Sequence, residues 1–186
     1  LVGSEMCIRD RVRIFKKKHR VGHILISYVF IFYLVGILTM TGSWYRGAFS
    51  PRIVYIPFID MIREPIDTIL NVFLFVPLGL FLPLLYDEFD KAGKVLLAGF
   101  LISVSVEIIQ MFGCGATDIK DLITNTIGAC VGYGVFKVLE KFIPEKWIGI
   151  FRITGKNGYI ELIIFWIGTA IMMLTVQPLL FHRLFR

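Results

Sequence analysis

The hydrophobic positions along the chain form five long runs, and most charged residues lie in the shorter segments between them. A helix needs about 20 apolar residues to cross the roughly 30 Å hydrocarbon core of a bilayer. The runs have about this length, so the pattern predicts five transmembrane helices. They are expected at His23–Gly42, Thr68–Tyr86, Gly93–Gly113, Leu122–Leu139 and Tyr159–Phe181, and the fourth is the most polar.

The composition supports the same fold class. Of the 186 residues, 56% are hydrophobic and only 18% are charged, whereas a soluble domain has about a quarter of its residues charged. We therefore predict an all-α integral membrane protein with about five transmembrane helices. The net charge of +6 does not indicate nucleic-acid binding, because no basic recognition element stands on a soluble fold. The three cysteines match no zinc pattern, and no cofactor is expected.

Lysine and arginine are unevenly distributed between the segments that flank the runs. If five spans alternate in direction, one side of the membrane holds fourteen of the 20 basic residues and the other side holds six. Because basic residues are enriched in short cytoplasmic segments, the pattern predicts a cytoplasmic N-terminus and an external C-terminus. The same topology puts Asn71, Glu107 and Asp121 near the outer surface.

The segments outside the runs complete the predicted organisation. Residues 1–11 resemble a translated adaptor leader, lack the periodicity of a helix and are expected to be non-native, while residues 12–22 form a basic cytoplasmic flank. We expect a membrane domain at residues 23–139 and a basic cytoplasmic loop at residues 140–158. An additional C-terminal transmembrane helix is expected within residues 159–186.

Nine polar residues near the predicted outer ends of three runs follow helical spacing. The three sets are Arg63, Asp67 and Asn71; Ser103, Glu107 and Gln110; and Asp118, Asp121 and Asn125. Residues three or four positions apart share a helix face, so each set forms a polar stripe on an otherwise apolar helix. We therefore expect a polar cluster, with binding potential, where the three helices meet.

Glu107 is the residue whose placement in a membrane costs most. It stands about six residues before Gly113, roughly 9 Å below the outer end of its run at 1.5 Å per residue. A charge at such a depth costs a few kcal/mol, so the side chain must face the bundle interior, pair or be protonated. Arg63 is the expected cationic partner if its helix extends outward. The cluster could then be a buried network that fixes helix register, a binding site, or a catalytic or metal site.

The last of these alternatives assigns specific roles. A carboxyl group in an apolar setting can act as a general acid or base, which makes Glu107 the candidate catalytic residue. Glu107, Asp118 and Asp121 would be the candidate ligands of Mg²⁺ or Ca²⁺, since both ions take oxygen ligands. Thr117 and Asp118 also offer simple helix N-cap chemistry. No serine elbow or Cys–His pair accompanies Glu107, so the sequence favours a non-enzymatic protein and predicts no metal site with confidence.

Two stretches carry a resemblance to a known family. They are REPIDTILNVFLFVPLGLFLP, from Arg63, and SVSVEIIQMFGCGATDIKDLITNTIGACVGYG, from Ser103. The chain resembles the VanZ-like membrane proteins, whose pattern matches three groups of positions in order within residues 59–136. These groups are Asn71 with Phe75, Pro77, Leu78 and Gly79; Ser103, Glu107 and Gln110; and Asp118, Asp121, Asn125 and Gly128.

The chain also departs from this family pattern. Family members often have a basic residue shortly before the first aspartate, where this chain has Cys114, Gly115 and Ala116. They often have an acidic or polar residue where Lys120 stands. The missing cation weakens the idea of a fixed anion site at this loop, although Lys120 could partly replace it.

The resemblance implies a setting more than a mechanism. The namesake of the family is linked with low-level resistance to teicoplanin, a glycopeptide antibiotic of the bacterial envelope. Our leading hypothesis is a non-enzymatic, multi-pass protein of the bacterial cytoplasmic membrane that contacts an envelope lipid, a wall precursor or a lipoglycopeptide at the outer leaflet. The alternative is a membrane enzyme acting on a lipid-linked substrate, with Glu107 as base. A transporter ranks third, because five short spans show no inverted repeat.

Overall fold

The computed structural model describes most of the chain as helix. It covers residues 2–42, 53–54, 65–111, 117–153, 155, 157–176, 179 and 183, and for residues 2–20, 53–54 and 117 it describes only the backbone. Within these residues the helices are α1 (Val2–Met40), α2 (Pro65–Leu85), α3 (Ala92–Gln110), α4 (Ile119–Glu140), α5 (Glu145–Phe151) and α6 (Gly158–Ile171). A 3₁₀ turn spans Asp87–Phe89, and a π-helical turn, Met172–Val176, continues α6. Two short parallel strands are β1 (Ile53–Val54) and β2 (Thr117–Asp118).

The predicted fold class is confirmed. Five of the helical segments are long and apolar enough to cross a membrane: Val21–Met40, Pro65–Leu85, Ala92–Gln110, Ile119–Glu140 and Gly158–Val176. Helix α1 already begins at Val2, although this stretch lacks helical periodicity. The physical reason is that extending an existing helix adds one hydrogen bond per residue fixed and avoids the cost of a new nucleus.

Helices α2 and α4 make the closest contact in the bundle. Gly79 of α2 faces the backbone of Ala129, while Gly128 and Gly132 of α4 face the carbonyl oxygens of Val72 and Val76. A methyl group at any of these three glycines would overlap backbone atoms of the opposite helix. Small residues four apart are a common way for membrane helices to approach closely, because lipid supplies no hydrophobic drive for association.

A tyrosine from α1 satisfies backbone groups of α2 next to Pro77. Pro77 lies inside α2 and lacks the N–H that a helix would use at that position. One residue further on, the Tyr33 hydroxyl donates to the Leu74 carbonyl oxygen at 2.7 Å and accepts from the Leu78 N–H at 3.1 Å. The hydroxyl therefore stands in for a helix hydrogen bond, as expected where neighbouring helices satisfy backbone groups next to a membrane proline.

The ends of the spans segregate as an alternating topology requires. Thr41 and Gln110 meet at one end of the bundle, where α1 and α3 finish. At the other end, Lys137 near the end of α4 pairs with Asp90 at 2.6 Å, just before α3 starts. We call this second end the basic end, because it collects the flanks with most of the lysines and arginines. Which end faces the cytoplasm stays a prediction.

The segment after α4 folds back onto the basic end. It contains α5, and Ile153 then donates its N–H to the Leu85 carbonyl oxygen at 2.9 Å, forming a short bridge with the end of α2. Buried His23 of α1 contacts the Phe151 carbonyl oxygen at 2.7 Å and the Glu161 carboxylate at 2.9 Å. These contacts attach α5 and α6 to α1 and α2.

Adding a methyl group at Gly132 should destabilise the α2–α4 contact. Gly132→Ala must push the helices apart, which we expect to lower the free energy of unfolding by about 1–3 kcal/mol. The matched control is Gly134→Ala on the same helix, where a Cβ meets nothing within 4 Å. Both variants gain the same intrinsic helix propensity, so the difference between their free energies of unfolding measures the clash at Gly132. Thermal unfolding of detergent-solubilised protein measures it, and equal midpoints would contradict the contact.

The orientation can be tested by labelling. In a chain whose native cysteines are replaced by serine, we expect Ile119→Cys to react with an impermeant maleimide in intact cells, since Ile119 is exposed where α4 begins. Lys141→Cys, exposed just after α4, should react only after lysis. The reverse pattern would place the N-terminus outside.

Candidate functional site

A short hydrogen bond joins α2 to α4 at the end of the bundle opposite the basic end. The Asn71 side-chain amide donates to Asp121 Oδ1 at 2.6 Å. Asn71 lies on the second turn of α2 and Asp121 in the first turn of α4, and both are half-buried. Because these side chains are short, the bond requires the two backbones to be close, as they are at the glycines deeper in the bundle.

A second bond joins α3 to α4 below the first. The Asn125 amide donates to Ser103 Oγ at 3.0 Å, and both residues are buried. Asn125 comes one turn after Asp121, so α4 presents one polar side chain to each neighbour. The α4 helix is thus held from both sides by hydrogen bonds, where each unsatisfied group would otherwise cost several kcal/mol in hydrocarbon.

Glu107 meets the start of α4. Its Oε2 accepts the backbone N–H of Asp118 at 3.0 Å, and only 6% of the residue is exposed. Asp118 in turn caps α4, since its Oδ1 accepts the Lys120 N–H at 2.8 Å. This confirms the N-cap role predicted for Asp118. The carboxylate of Glu107 and the cap together satisfy two backbone N–H groups at the start of α4.

Among the described residues, Lys120 is the cationic side chain at the start of α4. The sequence did not predict that it is buried. It exposes 5% of its surface, and its Nζ lies 3.8 Å from Asp118 Oδ2. Helix periodicity alone could have indicated this position, because Lys120 and Thr124 are spaced i, i+4 on a face that proves to be buried. Arg63, the predicted partner of Glu107, lies outside the described residues.

Two further contacts close the site. Gln110 Nε2 donates to the Thr41 carbonyl oxygen at 2.6 Å, which ties the end of α3 to the end of α1. The parallel ladder pairs Ile53 with Thr117 and Val54 with Asp118. A piece of the segment between α1 and α2 therefore lies directly beside the start of α4.

The structure brings together most of the residues that the helical spacing singled out. We call the set Asn71, Ser103, Glu107, Gln110, Asp118, Asp121 and Asn125 the polar cluster. Asp67 lies exposed one turn before Asn71 on α2. Glu107 lies shallower than expected: α3 ends at Gln110, so Glu107 is one turn from the helix end rather than nearly two.

The cluster has an enclosed part and an accessible part. Ser103, Glu107 and Asn125 are buried, whereas Asn71 and Asp121 are half-buried, and the exposed Asp67 lies beside the cluster. The accessible part is rich in acceptor oxygens. Two enclosed acceptors, Gln110 Oε1 and Asn125 Oδ1, have no hydrogen-bond partner among the described residues. The geometry therefore suits donor groups such as hydroxyls, amines or water.

The carboxylates do not converge as metal ligands would. Among the described residues, no group of three or more His, Cys, Asp or Glu side chains is arranged to hold a metal ion. Asp118 is engaged with Lys120 and its own helix start, and Asp121 faces Asn71. The arrangement can orient and accept hydrogen bonds, but it offers no prepared cation cage.

Comparisons with known proteins agree with the resemblance seen in the motifs. The sequence model of the VanZ/LLP1 family matches residues 16–140, which includes the whole polar cluster. Protein VanZ of Enterococcus faecium is 39% identical over 85 residues, covering 45% of this chain and 50% of that protein. The chain thus matches about half the length of this curated relative. No solved structure matches.

Removing the Glu107 carboxylate should destabilise the start of α4. Glu107→Ala leaves the buried Asp118 N–H without this acceptor, which we expect to lower the free energy of unfolding by about 1–3 kcal/mol. Glu107→Gln retains an acceptor oxygen and should cost less than half as much. Thermal unfolding in detergent compares them, with Ser105→Ala as control because that hydroxyl bonds within α3, to the Ile102 carbonyl oxygen. Equal losses for the alanine and glutamine variants would refute the role of the acceptor.

Proposed function

Since this chain belongs to the VanZ/LLP1 family, we propose that it binds a component of the bacterial envelope at the outer leaflet of the cytoplasmic membrane. The component would be an envelope lipid, a wall precursor or a lipoglycopeptide, and binding would contribute to resistance to teicoplanin, as the family resemblance implies. The observation that carries the proposal is the half-buried Asn71–Asp121 pair, open at the rim of an otherwise enclosed polar network.

The network beneath this pair supports recognition because it holds the pair rigid. Asn71 and Asp121 stand on different helices, and the Ser103–Asn125 bond and the glycine contact fix those helices against each other. Sites whose supporting side chains are held by packing and further hydrogen bonds lose less entropy on binding. A polar rim at the membrane surface can thus meet an amphiphile whose tail remains in the bilayer.

The charge of the rim favours one type of headgroup. Asp67 and Asp121 contribute two carboxylates beside the Asn71 amide, while the buried Lys120 is already close to Asp118. Like charges repel across an interface, so bare phosphate groups are poor partners here. Sugar hydroxyls and ammonium groups, which donate hydrogen bonds, fit the exposed oxygens better.

The alternative of a membrane enzyme has less support. A general base must reach the proton that it removes, yet Glu107 is enclosed and one of its oxygens already accepts the Asp118 N–H. The exposed carboxylate beside the cluster, that of Asp67, has no cation next to it among the described side chains of α2. We therefore rank binding above catalysis.

Neutralising the rim should weaken the proposed binding. For the purified full chain in nanodiscs, we expect Asp67→Asn/Asp121→Asn to lower affinity for teicoplanin or for lipid-linked disaccharide-pentapeptide by at least about tenfold. The reason is that hydrogen bonds to charged groups contribute about 1.5–3 kcal/mol, and each 1.4 kcal/mol is tenfold in affinity. Calorimetric titration measures the affinity, and expression in a glycopeptide-sensitive host measures the matching loss of teicoplanin tolerance.

The control is Asp87→Asn, an exposed carboxylate at the basic end, which should change neither measurement. If wild type binds none of these probes, or the double variant binds as well as wild type, the proposal is wrong. If wild type releases product from labelled precursor and Glu107→Gln does not, the result would favour the enzyme instead.

A further inference from the structure

An apolar groove lies on the side of the bundle between α3 and α6. It encloses about 380 Å³ and is lined by apolar side chains of both helices, including Leu97 and Leu101 of α3 and Ile163 and Trp166 of α6. Two hydroxyl-bearing side chains also line it: Ser105, whose hydroxyl donates to the Ile102 carbonyl oxygen at 2.6 Å, and Tyr159, beside Lys94. Most of the lining is apolar, so the groove suits a hydrocarbon chain.

The groove exists because α6 is attached to the bundle at its start, through α1 and the 3₁₀ turn. Glu161 contacts His23 of α1, and the Gly158 N–H donates to Glu88 beside the 3₁₀ turn at 3.2 Å. Elsewhere among the described residues, the α3 and α6 backbones make few close contacts, and the groove lies between their side chains. In a bilayer such a gap cannot stay empty, because its walls would lose contacts that a chain of similar shape restores.

The dimensions match one leaflet. The α3 wall of the groove runs from Lys94 to Ser105, about 16 Å at 1.5 Å per residue. This is roughly half of the 30 Å hydrocarbon core. The groove starts at the basic end and finishes near the middle of the membrane, as an acyl chain of a lipid anchored at that end would.

The mouth of the groove carries a cation at headgroup level. Lys94 lines it, with its Nζ 5.4 Å from the centre of the Tyr159 ring, and Tyr159 in turn packs against Phe89. Lys91 is exposed one turn earlier. Aromatic and basic residues are typical of the membrane–water interface, where they anchor helices and contact headgroups.

The nearby carboxylates are directed elsewhere, so they leave the lysine charge uncompensated. Asp90 pairs with Lys137 at 2.6 Å, and Glu161 contacts His23. Glu88 accepts the Gly158 N–H. No carboxylate among the described residues forms an ion pair with Lys94.

From these observations we propose that the groove between α3 and α6 binds one acyl chain of an anionic phospholipid, whose phosphate is held at Lys94. The site is separate from the polar cluster at the opposite end and does not depend on the function proposed for that cluster. Its occupant comes from the leaflet at the basic end. The lipid completes the contact between α6 and the remaining spans.

Trp166 reports on the groove from inside. In the full chain with Trp44→Phe and Trp147→Phe, Trp166 is the only tryptophan left. The protein is reconstituted in phosphatidylcholine vesicles, and its fluorescence is measured in two series. One series adds increasing fractions of brominated phosphatidylglycerol and the other adds brominated phosphatidylcholine, each brominated on one acyl chain. Because a lysine near the surface contributes about 1 kcal/mol to attraction of anionic lipid, half-maximal quenching should need about fivefold less brominated phosphatidylglycerol than brominated phosphatidylcholine.

Two variants and one control separate headgroup from chain. Lys94→Gln should remove most of the fivefold preference, while Lys141→Gln, an exposed lysine outside the groove, should keep it. Ala98→Leu, which fills the groove, should reduce quenching by both lipids, with helix content checked by circular dichroism. Equal quenching by the two lipids, an unchanged preference in Lys94→Gln, or protection of Trp166 from both lipids by a second copy of the chain would each overturn the proposal.

Discussion

The backbone contact between α2 and α4 is the constraint on which the rest of the structure depends. Gly79, Gly128 and Gly132 let the two helices approach until each meets the backbone of the other. Asn71 and Asp121 have short side chains, and a 2.6 Å bond between them is geometrically open only to helices that lie this close. The glycines thus allow the Asn71–Asp121 bond of the polar cluster to form.

The cluster in turn explains how polar residues persist inside an apolar protein. In hydrocarbon, a polar group without a protein partner has no water to bond to, so a partner within the bundle stabilises it. Ser103 is satisfied by Asn125, and Glu107 by the amide at the start of α4. Structural and binding roles are therefore not exclusive here: the inner bonds hold the helices, and that rigidity positions the Asn71–Asp121 pair at the rim.

Much of this arrangement could be predicted from spacing and hydropathy. Run lengths located the spans to within a few residues, and the helical period placed Asn71, Glu107 and Asp121 on faces that do converge. The partner of Glu107 could not be found in this way, because it is a backbone N–H, and side-chain patterns carry no information about backbone donors. The Tyr33 hydroxyl next to Pro77 escaped prediction for a similar reason: its partners are the amide and carbonyl of α2. Periodicity identifies a helix face but does not identify the atom that it meets.

The two ends of the bundle are held together by different parts of the chain, and we assign them different roles. At the cluster end, α2, α3 and α4 are joined to one another by side-chain bonds within the range that the family shares, residues 16–140. At the basic end, α5 and α6 come from beyond that range and are attached through His23, Glu88 and the Ile153 bridge. Because α6 is held at its start and makes few close backbone contacts with α3, a lateral groove lies between them at the end opposite the cluster. A segment attached in this way can adapt the protein to its lipid surroundings without altering the site that the other three helices form.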